Sequence, residues 1–257
     1  MAVLYNASMP QERLDRIVDA MTDEIYSRLA LYDIIYRFFP AYTPSSCDWV
    51  IGTLKQQGYI RALGNGFYAK GKGQFQMELQ PGNKKILTRL LVEFPFSQFA
   101  CIETNFVNEQ LGMEGGDNCF IVEVTKRDLF PCYMKLREWS KRDVLITPTS
   151  HELDYYMKPN AIVLKPLFSK SPVRKDGLFC IEKLLVDSVS DKLFDCLYPH
   201  VDIAENLLNI IRSNNVNVIT TYNYAKRRRC EAEIRSLLRH ALPEEVDELI
   251  PEANTDD

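Results

Sequence analysis

"TPSSCDWVIGTLKQQGYIRALGNGFYAKGK", residues 43–72, decides the predicted fold of the N-terminal part of the chain. Its first half has the spacing of a helix with one buried stripe, formed by Cys47, Val50, Ile51 and Leu54. A serine, Ser45 or Ser46, can cap this helix, and Gly58 can end it. Two short β-like runs follow, separated by Gly64-Asn65-Gly66, which supplies the positive φ angles of a tight hairpin turn. The stretch therefore predicts a helix followed by a two-stranded ribbon.

Two more helices are predicted before this stretch. Residues 10–24 place apolar side chains at helical spacing, and residues 31–39 form a second apolar segment that Pro40 stops. Three helices followed by a β-ribbon is the order of a winged helix-turn-helix, whose third helix lies in the major groove of DNA. Small helical domains with a hairpin also bind proteins, so the pattern alone leaves a protein-binding adaptor as an alternative.

The predicted DNA contacts come from the side of the third helix opposite its stripe and from the hairpin. Hydroxyl and amide side chains bond to phosphates or base edges, and cationic side chains lie near the phosphate backbone. The predicted DNA-binding residues are Ser45, Ser46, Trp49, Thr53, Lys55, Gln56, Arg61, Asn65, Lys70 and Lys72.

The charge of the chain is uneven. The 257 residues carry a formal charge of −4 with 46% apolar residues, enough for a sizeable core. Residues 43–85 hold six bases against two acids, whereas the last 15 residues hold seven acids and no base. We therefore expect a basic N-terminal patch and an acidic, flexible tail over residues 243–257. No apolar run is long enough to span a membrane, and we expect no secretion signal and a cytoplasmic protein.

The remainder of the chain mixes β-rich runs with helical segments without regular βαβ alternation. This mixture of strands and helices predicts an α+β fold. Together with the first 80 residues, it predicts an N-terminal winged helix-turn-helix followed by a larger mixed α/β C-terminal domain. The predicted divisions are residues 1–80 for DNA binding, 81–242 for the C-terminal domain and 243–257 for the tail.

Catalytic and metal-binding patterns are weak in this sequence. The seven cysteines are scattered without a CxxC pair and the three histidines lie far apart, so we expect no metal, no cofactor and no disulfide framework. Glu103 and Glu123 form a conceivable pair for a metal-dependent nuclease of restriction-endonuclease type. However, Lys126 follows Glu123 by three residues and would lie on the opposite face of a strand, so we expect no enzyme.

Two charged segments further along allow both functional and structural interpretations. Glu182 and Asp187, on a predicted helix, could form a carboxylate pair for acid–base or metal chemistry. They do not share one helical face well, which favours surface charges and a structural hydrogen bond. The run Lys226-Arg227-Arg228-Arg229 predicts either a second phosphate-binding patch or a solvated helix face paired with Glu231 and Glu233.

Several stretches together resemble a known family. In order they are "SSCDWVIGTLKQQGYIRALGNGFY", "CIETNFVNEQLG", "FIVEVTKRDLF", "AIVLKPLFSKSPV", "IEKLLVDSVSDKLF" and "NYAKRR". Their order resembles the AbiEi-like antitoxins, predicted transcriptional regulators of type IV abortive-infection toxin–antitoxin systems, over nearly the whole chain. The combination of "IEKLLVD" with "YAKRR" downstream is the most specific part of the resemblance.

The resemblance implies a function that composition does not show. Such proteins repress their own promoter by binding inverted repeats in double-stranded DNA through the winged helix. Their C-terminal domain counteracts a nucleotidyltransferase-like toxin in a phage-defence operon, typically without a stable complex. The resemblance implies no catalytic residues, and only DNA contact is carried over to the helix and hairpin residues named above.

Overall fold

The structure, a computed structural model, describes residues 9–23, 25–71, 75–111, 118–156, 158–198 and 203–250. The fold is α+β, and the chain divides into two compact units. The first unit consists of Met1–Gln74, Ile211–Ile219 and Leu238–Asp257, and the second of Phe75–Ile210 and Thr220–Leu237.

The N-terminal segment supplies three helices and three strands to the first unit. They are α1 (Gln11–Asp19), β1 (Ile25–Ser27), α2 (Arg28–Phe38), α3 (Pro44–Gln56), β2 (Ile60–Gly64) and β3 (Phe67–Lys70). The strands form an antiparallel sheet in the order β1-β3-β2. The predicted hairpin is confirmed, and Asn65 and Gly66 at its turn have φ angles of 49° and 82°. Positive φ at both central residues is the geometry of the type I′ turns that match the twist of a hairpin.

The core of this segment forms because each helix turns one apolar stripe inward. The four stripe residues predicted for α3, Cys47, Val50, Ile51 and Leu54, are all buried. They pack in one cluster with Leu14 and Ile17 of α1 and with Leu31 and Ile35 of α2. Burying a leucine or isoleucine side chain stabilises the fold by roughly 1.5–3 kcal/mol, so this cluster holds the helices together.

The second unit is built around a four-stranded sheet. Its elements are α4 (Pro81–Glu93), β4 (Phe99–Glu103), α5 (Thr104–Gln110), β5 (Phe120–Val124), a 3₁₀ turn (Lys126–Asp128), α6 (Leu129–Trp139), β6 (Val144–Ile146), α7 (Ser150–Tyr156), β7 (Ile162–Pro166), α8 (Ile181–Ser190) and α9 (Lys192–Leu197). The strand order is β4-β5-β7-β6, with β4 antiparallel to β5 and the other two pairs parallel.

The two faces of this sheet differ in what they bury. One face packs Phe120, Val122 and Val124 into an apolar cluster that includes residues of α4 and α6. The alternation of a strand turns Glu123 to the opposite face. Since β5 is buried at every residue, both faces of the sheet are covered along this strand. The register of the strands, in which Glu123 lies beside Lys165 of β7, places two charged side chains next to each other on the second face.

Four further helices complete the described chain: α10 (Ala204–Ser213), α11 (Val218–Arg228), α12 (Glu231–Ala241) and α13 (Pro243–Leu249). The prediction of a flexible tail is wrong for α13, because Glu245, Val246 and Leu249 are buried and belong to the first unit. Residues 251–257 of the predicted tail lie outside the described residues. The units also divide at residues 74 and 75, with later segments returning to the first unit, whereas the predicted domains were continuous in sequence.

The described helices and cysteines have two further properties. None of the described helices is both long enough and apolar enough to cross a membrane. All seven cysteines are free, and five of them are buried as small apolar side chains.

Candidate functional site

The outward face of α3 is the first candidate site, and its position is set by the local sequence. The helix begins at Pro44, and Thr43 is its N-cap, since the Thr43 hydroxyl accepts a hydrogen bond from the Ser46 N–H at 3.3 Å. The predicted cap at Ser45 or Ser46 is therefore one or two residues too late. With its buried stripe turned inward, α3 exposes Ser45, Trp49 and Gln56. Trp49 is 45% exposed, although an aromatic ring on a helix would usually be packed.

Other predicted contacts on α3 lie at the edges of this face. Lys55 is exposed in the last turn of the helix, while Ser46 and Thr53 are half-buried. The Thr53 hydroxyl donates a hydrogen bond to the Trp49 carbonyl at 2.9 Å, so its donor is used within the helix. We call the exposed residues Ser45, Trp49, Gly52, Lys55 and Gln56 the outer face of α3.

Asp48, an acidic residue of α3 beside this face, is neutralised by an ion pair with Arg28. Arg28 donates from Nε to Asp48 Oδ1 at 2.8 Å, and the Tyr32 hydroxyl donates to the same oxygen at 2.5 Å. Hydrogen bonds from Arg28 and Tyr32 lower the pKa of Asp48 below its usual value. Asp48 therefore stays ionised and paired, and the cation of Arg28 offsets its charge.

Two of the predicted hairpin contacts that the structure describes, Lys70 and Asn65, are at least partly exposed. Lys70 is half-buried at the end of β3, and Asn65 is exposed at the turn. Lys72 lies outside the described residues. The Gly66 carbonyl accepts a hydrogen bond from the Arg28 N–H at 2.8 Å, which ties the turn to the start of α2.

Arg61 is not a DNA contact, which corrects the prediction. Its side chain is 3% exposed and forms an ion pair with Glu245 of α13. It also donates from Nη1 to the Val216 carbonyl at 3.3 Å. The three residues belong to the first unit. A buried guanidinium that loses water needs such partners, so Arg61 holds segments of the fold together and faces no ligand.

The second candidate site is a buried group of charges in the second unit. We call it the charge cluster, and its members are Glu123, Lys165, Lys183, Asp187, Asp191 and Arg228. Strands β5 and β7 supply Glu123 and Lys165, α8 supplies Lys183 and Asp187, Asp191 follows α8, and α11 supplies Arg228.

Lys183 is at the centre of the charge cluster. Its side chain is fully buried, and Nζ lies 2.8 Å from Glu123 Oε2 and 2.5 Å from Asp187 Oδ2. The Tyr224 hydroxyl donates to the other oxygen of Asp187 at 2.8 Å. The same ammonium lies 4.6 Å from the ring centre of Phe179, within the range of a cation–π contact.

Lys165 and Arg228 close the outer side of the cluster. Lys165 Nζ lies 3.2 Å from Glu123 Oε1 and pairs with Asp191. Arg228 Nη2 lies 3.4 Å from Asp191 Oδ2, and Arg228 Nε donates to the Ser190 hydroxyl at 2.8 Å. Three carboxylates therefore face three cations, which leaves the cluster without net charge.

Burial and charge act in opposite directions on these groups. Burial lowers the pKa of Lys183, but the charges of Glu123 and Asp187 outweigh burial and raise it above its ordinary value. Burial raises the pKa of Glu123, and the two ammonium groups oppose that rise. Burial also raises the pKa of Asp191, but Lys165 outweighs it and the pKa is lowered. The lysines are therefore held in their charged form.

One subset of the charge cluster has the chemistry of a cation site. Glu123, Asp187 and Asp191 each place one carboxylate oxygen within 4.8 Å of the others. Oxygen ligands of this kind suit Mg²⁺ and Mn²⁺. In the structure the ammonium of Lys183 takes the place of a cation between Glu123 and Asp187, so a metal ion would have to displace it.

The conceivable pair of Glu103 and Glu123 is not brought together in the structure. Glu103 lies on the opposite face of the sheet, where it accepts hydrogen bonds from the Gln80 N–H at 2.8 Å and from Asn83 Nδ2 at 2.6 Å. Lys126 lies in the 3₁₀ turn after β5, and the lysines beside Glu123 come from β7 and α8.

The prediction of surface charges on α8 is wrong for Asp187, which is fully buried together with Lys183. Sequence reasoning missed both lysines of the cluster. Lys165 interrupts the apolar run "AIVLKPL" of a buried strand, and Lys183 precedes Asp187 by four residues, the spacing of a helical ion pair. These two features of the sequence could have indicated that both lysines are buried and paired with acids.

The run Lys226-Arg227-Arg228-Arg229 is divided between two environments. Arg228 belongs to the charge cluster and is not available as a phosphate contact. Lys226, Arg227 and Arg229 are exposed, and Arg227 donates to the Lys170 carbonyl at 2.9 Å. A second basic patch therefore rests on three residues of the predicted four.

Comparisons with known proteins identify the family to which the chain belongs. A family model described as "Family of unknown function (DUF6577)" matches residues 46–244. No curated protein matches the chain. The crystal structure of the RV2827C protein from Mycobacterium tuberculosis is similar with a TM-score of 0.21 and 14% sequence identity, over 90% of this chain and 82% of that chain. Since the family model spans well over half of the 257 residues, the chain belongs to DUF6577, a family of unknown function.

Proposed function

We propose that the protein is a cytoplasmic transcriptional regulator that binds double-stranded DNA with α3. One observation carries the proposal: the outer face of α3 is open and presents a hydroxyl, an amide and an indole side chain at helical spacing. These groups suit base edges and phosphates in a major groove, which is wide enough to admit a helix.

The architecture of the first unit supports the same proposal. Three helices precede a hairpin, and a short strand before α2 extends the hairpin to three strands. That is the composition of a winged helix-turn-helix, in which the third helix enters the groove. The buried stripe of α3 fixes its rotation, so the outer face has one defined orientation.

Two lysines supply the sequence-independent part of the proposed binding. Lys55 lies at the end of α3 and Lys70 at the end of β3. Each cation that neutralises a phosphate releases a counterion and adds about 0.9 to the slope of log affinity against log salt.

The test is binding to the DNA upstream of the protein's own gene, compared with random DNA, over a series of salt concentrations. Replacing Lys55 or Lys70 by glutamine should weaken binding to both DNAs and reduce the salt slope by about one. Lys141→Gln, an equal charge change at an exposed position of the second unit, is the control and should leave both quantities unchanged. Equal affinity of the unmodified protein for both DNAs would refute the proposal.

Gln56 is the residue proposed to read sequence. A glutamine amide bonds to two atoms of adenine in the major groove, and each such pair discriminates by about 1–3 kcal/mol. Gln56→Ala should therefore reduce the preference for the upstream DNA while binding to random DNA remains the same.

The proposal includes the antitoxin role that the resemblance implies. It predicts inverted repeats in the upstream DNA and an adjacent gene for a nucleotidyltransferase-like toxin. Co-expression of the two genes should restore growth that the toxin alone inhibits. A toxin that stays fully active beside this protein would remove the antitoxin half and leave the DNA-binding half standing.

A second candidate function is metal-dependent cleavage of nucleic acid, favoured by the three neighbouring carboxylates of the charge cluster. The protein should then cleave DNA or RNA with Mg²⁺ or Mn²⁺, and Glu123→Gln should abolish cleavage. Glu103→Gln, on the opposite face of the same sheet, is the matched control. Absence of cleavage by the unmodified protein with either metal refutes this candidate.

A further inference from the structure

Gly52 occupies the middle of the outer face of α3, where the fold itself gives no reason for glycine. It lies three residues after Trp49 and four before Gln56, so the three share one side of the helix. Glycine inside a helix is among the least favourable residues because it loses the most conformational freedom on folding.

Five of the seven described glycines have a structural reason to be glycine, and two do not. Four of them have positive φ angles, which favour glycine: Gly58, Gly64, Gly66 and Gly177. At Gly71 a Cβ would collide with the Gly58 carbonyl. Gly52 and Gly82 have neither reason, since an added Cβ at each would meet no atom within 4 Å.

The consequence of glycine at residue 52 is a bare stretch of helix backbone between two long side chains. Trp49 and Gln56 stand on either side of it, and both are exposed. A flat edge of a ligand can approach the helix axis there more closely than at any residue with a Cβ. The edge of a base pair in the major groove is such a surface, and close approach brings it within reach of the indole and amide.

We propose that Gly52 is a specificity-determining position, at which the edge of a base pair of duplex DNA lies directly against the backbone of α3. The inference rests on the proposed function and goes beyond it, because it assigns the point of closest approach. A methyl group at residue 52 would hold the base pair away from the helix. Contacts to base edges would lengthen, while phosphate contacts from Lys55 and Lys70 would remain.

The test compares the unmodified protein with Gly52→Ala and with Gly82→Ala. Gly82 is the matched control, because it also lies in a helix with open space around it and belongs to the second unit. Affinities are measured for the upstream DNA and for random DNA by fluorescence anisotropy, and stability is measured by urea unfolding.

Gly52→Ala should raise the urea midpoint of the first unit and lower the affinity for the upstream DNA about tenfold, with little change for random DNA. Gly82→Ala should leave both affinities unchanged. The inference is overturned if Gly52→Ala keeps the full preference for the upstream DNA, or if it lowers the urea midpoint. Failure of the unmodified protein to prefer the upstream DNA would instead refute the proposed function, so the two failures are distinguishable.

Discussion

Replacing Lys183 by methionine tests whether the charge cluster is a mutually dependent unit. Methionine keeps most of the side-chain volume and removes the ammonium that lies 2.8 Å from Glu123 and 2.5 Å from Asp187. Glu123 would keep Lys165, and Asp187 would keep the Tyr224 hydroxyl and Arg228 at 3.7 Å. Two fully buried carboxylates would then share weaker partners, so one net negative charge would remain in the sheet–helix interior.

The expected loss in the free energy of unfolding is about 3–5 kcal/mol, the range for removing one partner of a buried ion pair. Lys158→Met is the control. Lys158 lies 2.9 Å from Asp143 with a side chain 72% exposed, and an exposed pair of this kind contributes about 1 kcal/mol or less.

The assay uses the distribution of the two tryptophans. Trp139 lies in the second unit and Trp49 in the first, so in a Trp49→Phe background the fluorescence reports urea unfolding of the second unit. The double variant Lys183→Met/Asp187→Asn restores neutrality, and we expect it to be more stable than Lys183→Met alone. A loss below about 1 kcal/mol for Lys183→Met, or a double variant that loses the sum of both single changes, would refute the reasoning.

Three other variants test separate contacts. Thr43→Ala removes the N-cap of α3 and should lower the free energy of unfolding of the first unit by about 1 kcal/mol, measured by Trp49 fluorescence in urea, whereas Thr43→Ser should keep it. Arg61→Met leaves Glu245 buried without its cation and should cost about 3–5 kcal/mol by the same measurement; a loss as small as that of an exposed pair would contradict the buried ion pair. Asp191→Asn should flatten the acid side of the stability profile: since the pKa of Asp191 is lowered in the folded state, its stabilisation is present above about pH 4 and is lost as the pH falls through the folded-state pKa. Urea midpoints between pH 7 and pH 3 check this, and a constant difference between variant and unmodified protein would contradict it.

The local structure of the first unit was predictable because short-range patterns determine it. The spacing of Cys47, Val50, Ile51 and Leu54 fixes which side of α3 is buried, and Asn65-Gly66 fixes the hairpin turn. The role of Arg61 was not predictable, because its partners Val216 and Glu245 lie 155 and 184 residues away in sequence. From sequence alone, an arginine in a hairpin is expected to be an exposed cation. The acid that neutralises Arg61 lies too far away in the chain to be recognised as its partner.

The charge cluster shows the same division between local and long-range information. The i,i+4 spacing of Lys183 and Asp187 is visible in the sequence, but their burial depends on how α8 packs against the sheet. Glu123 and Lys165 are neighbours through the parallel pairing of β5 and β7, which are 42 residues apart by their paired positions. Strand order is set by the whole second unit, so no window of sequence predicts that pair.

The link between Arg61 and Glu245 affects how the protein matures on the ribosome. At about 5–20 residues per second, the 184 residues between them take roughly 10–40 s to synthesise. During that interval the hairpin has emerged while its buried arginine still lacks its acidic partner. A nascent chain therefore completes this ion pair only after residue 245 has been synthesised, so the first unit finishes folding well after its N-terminal segment has been made.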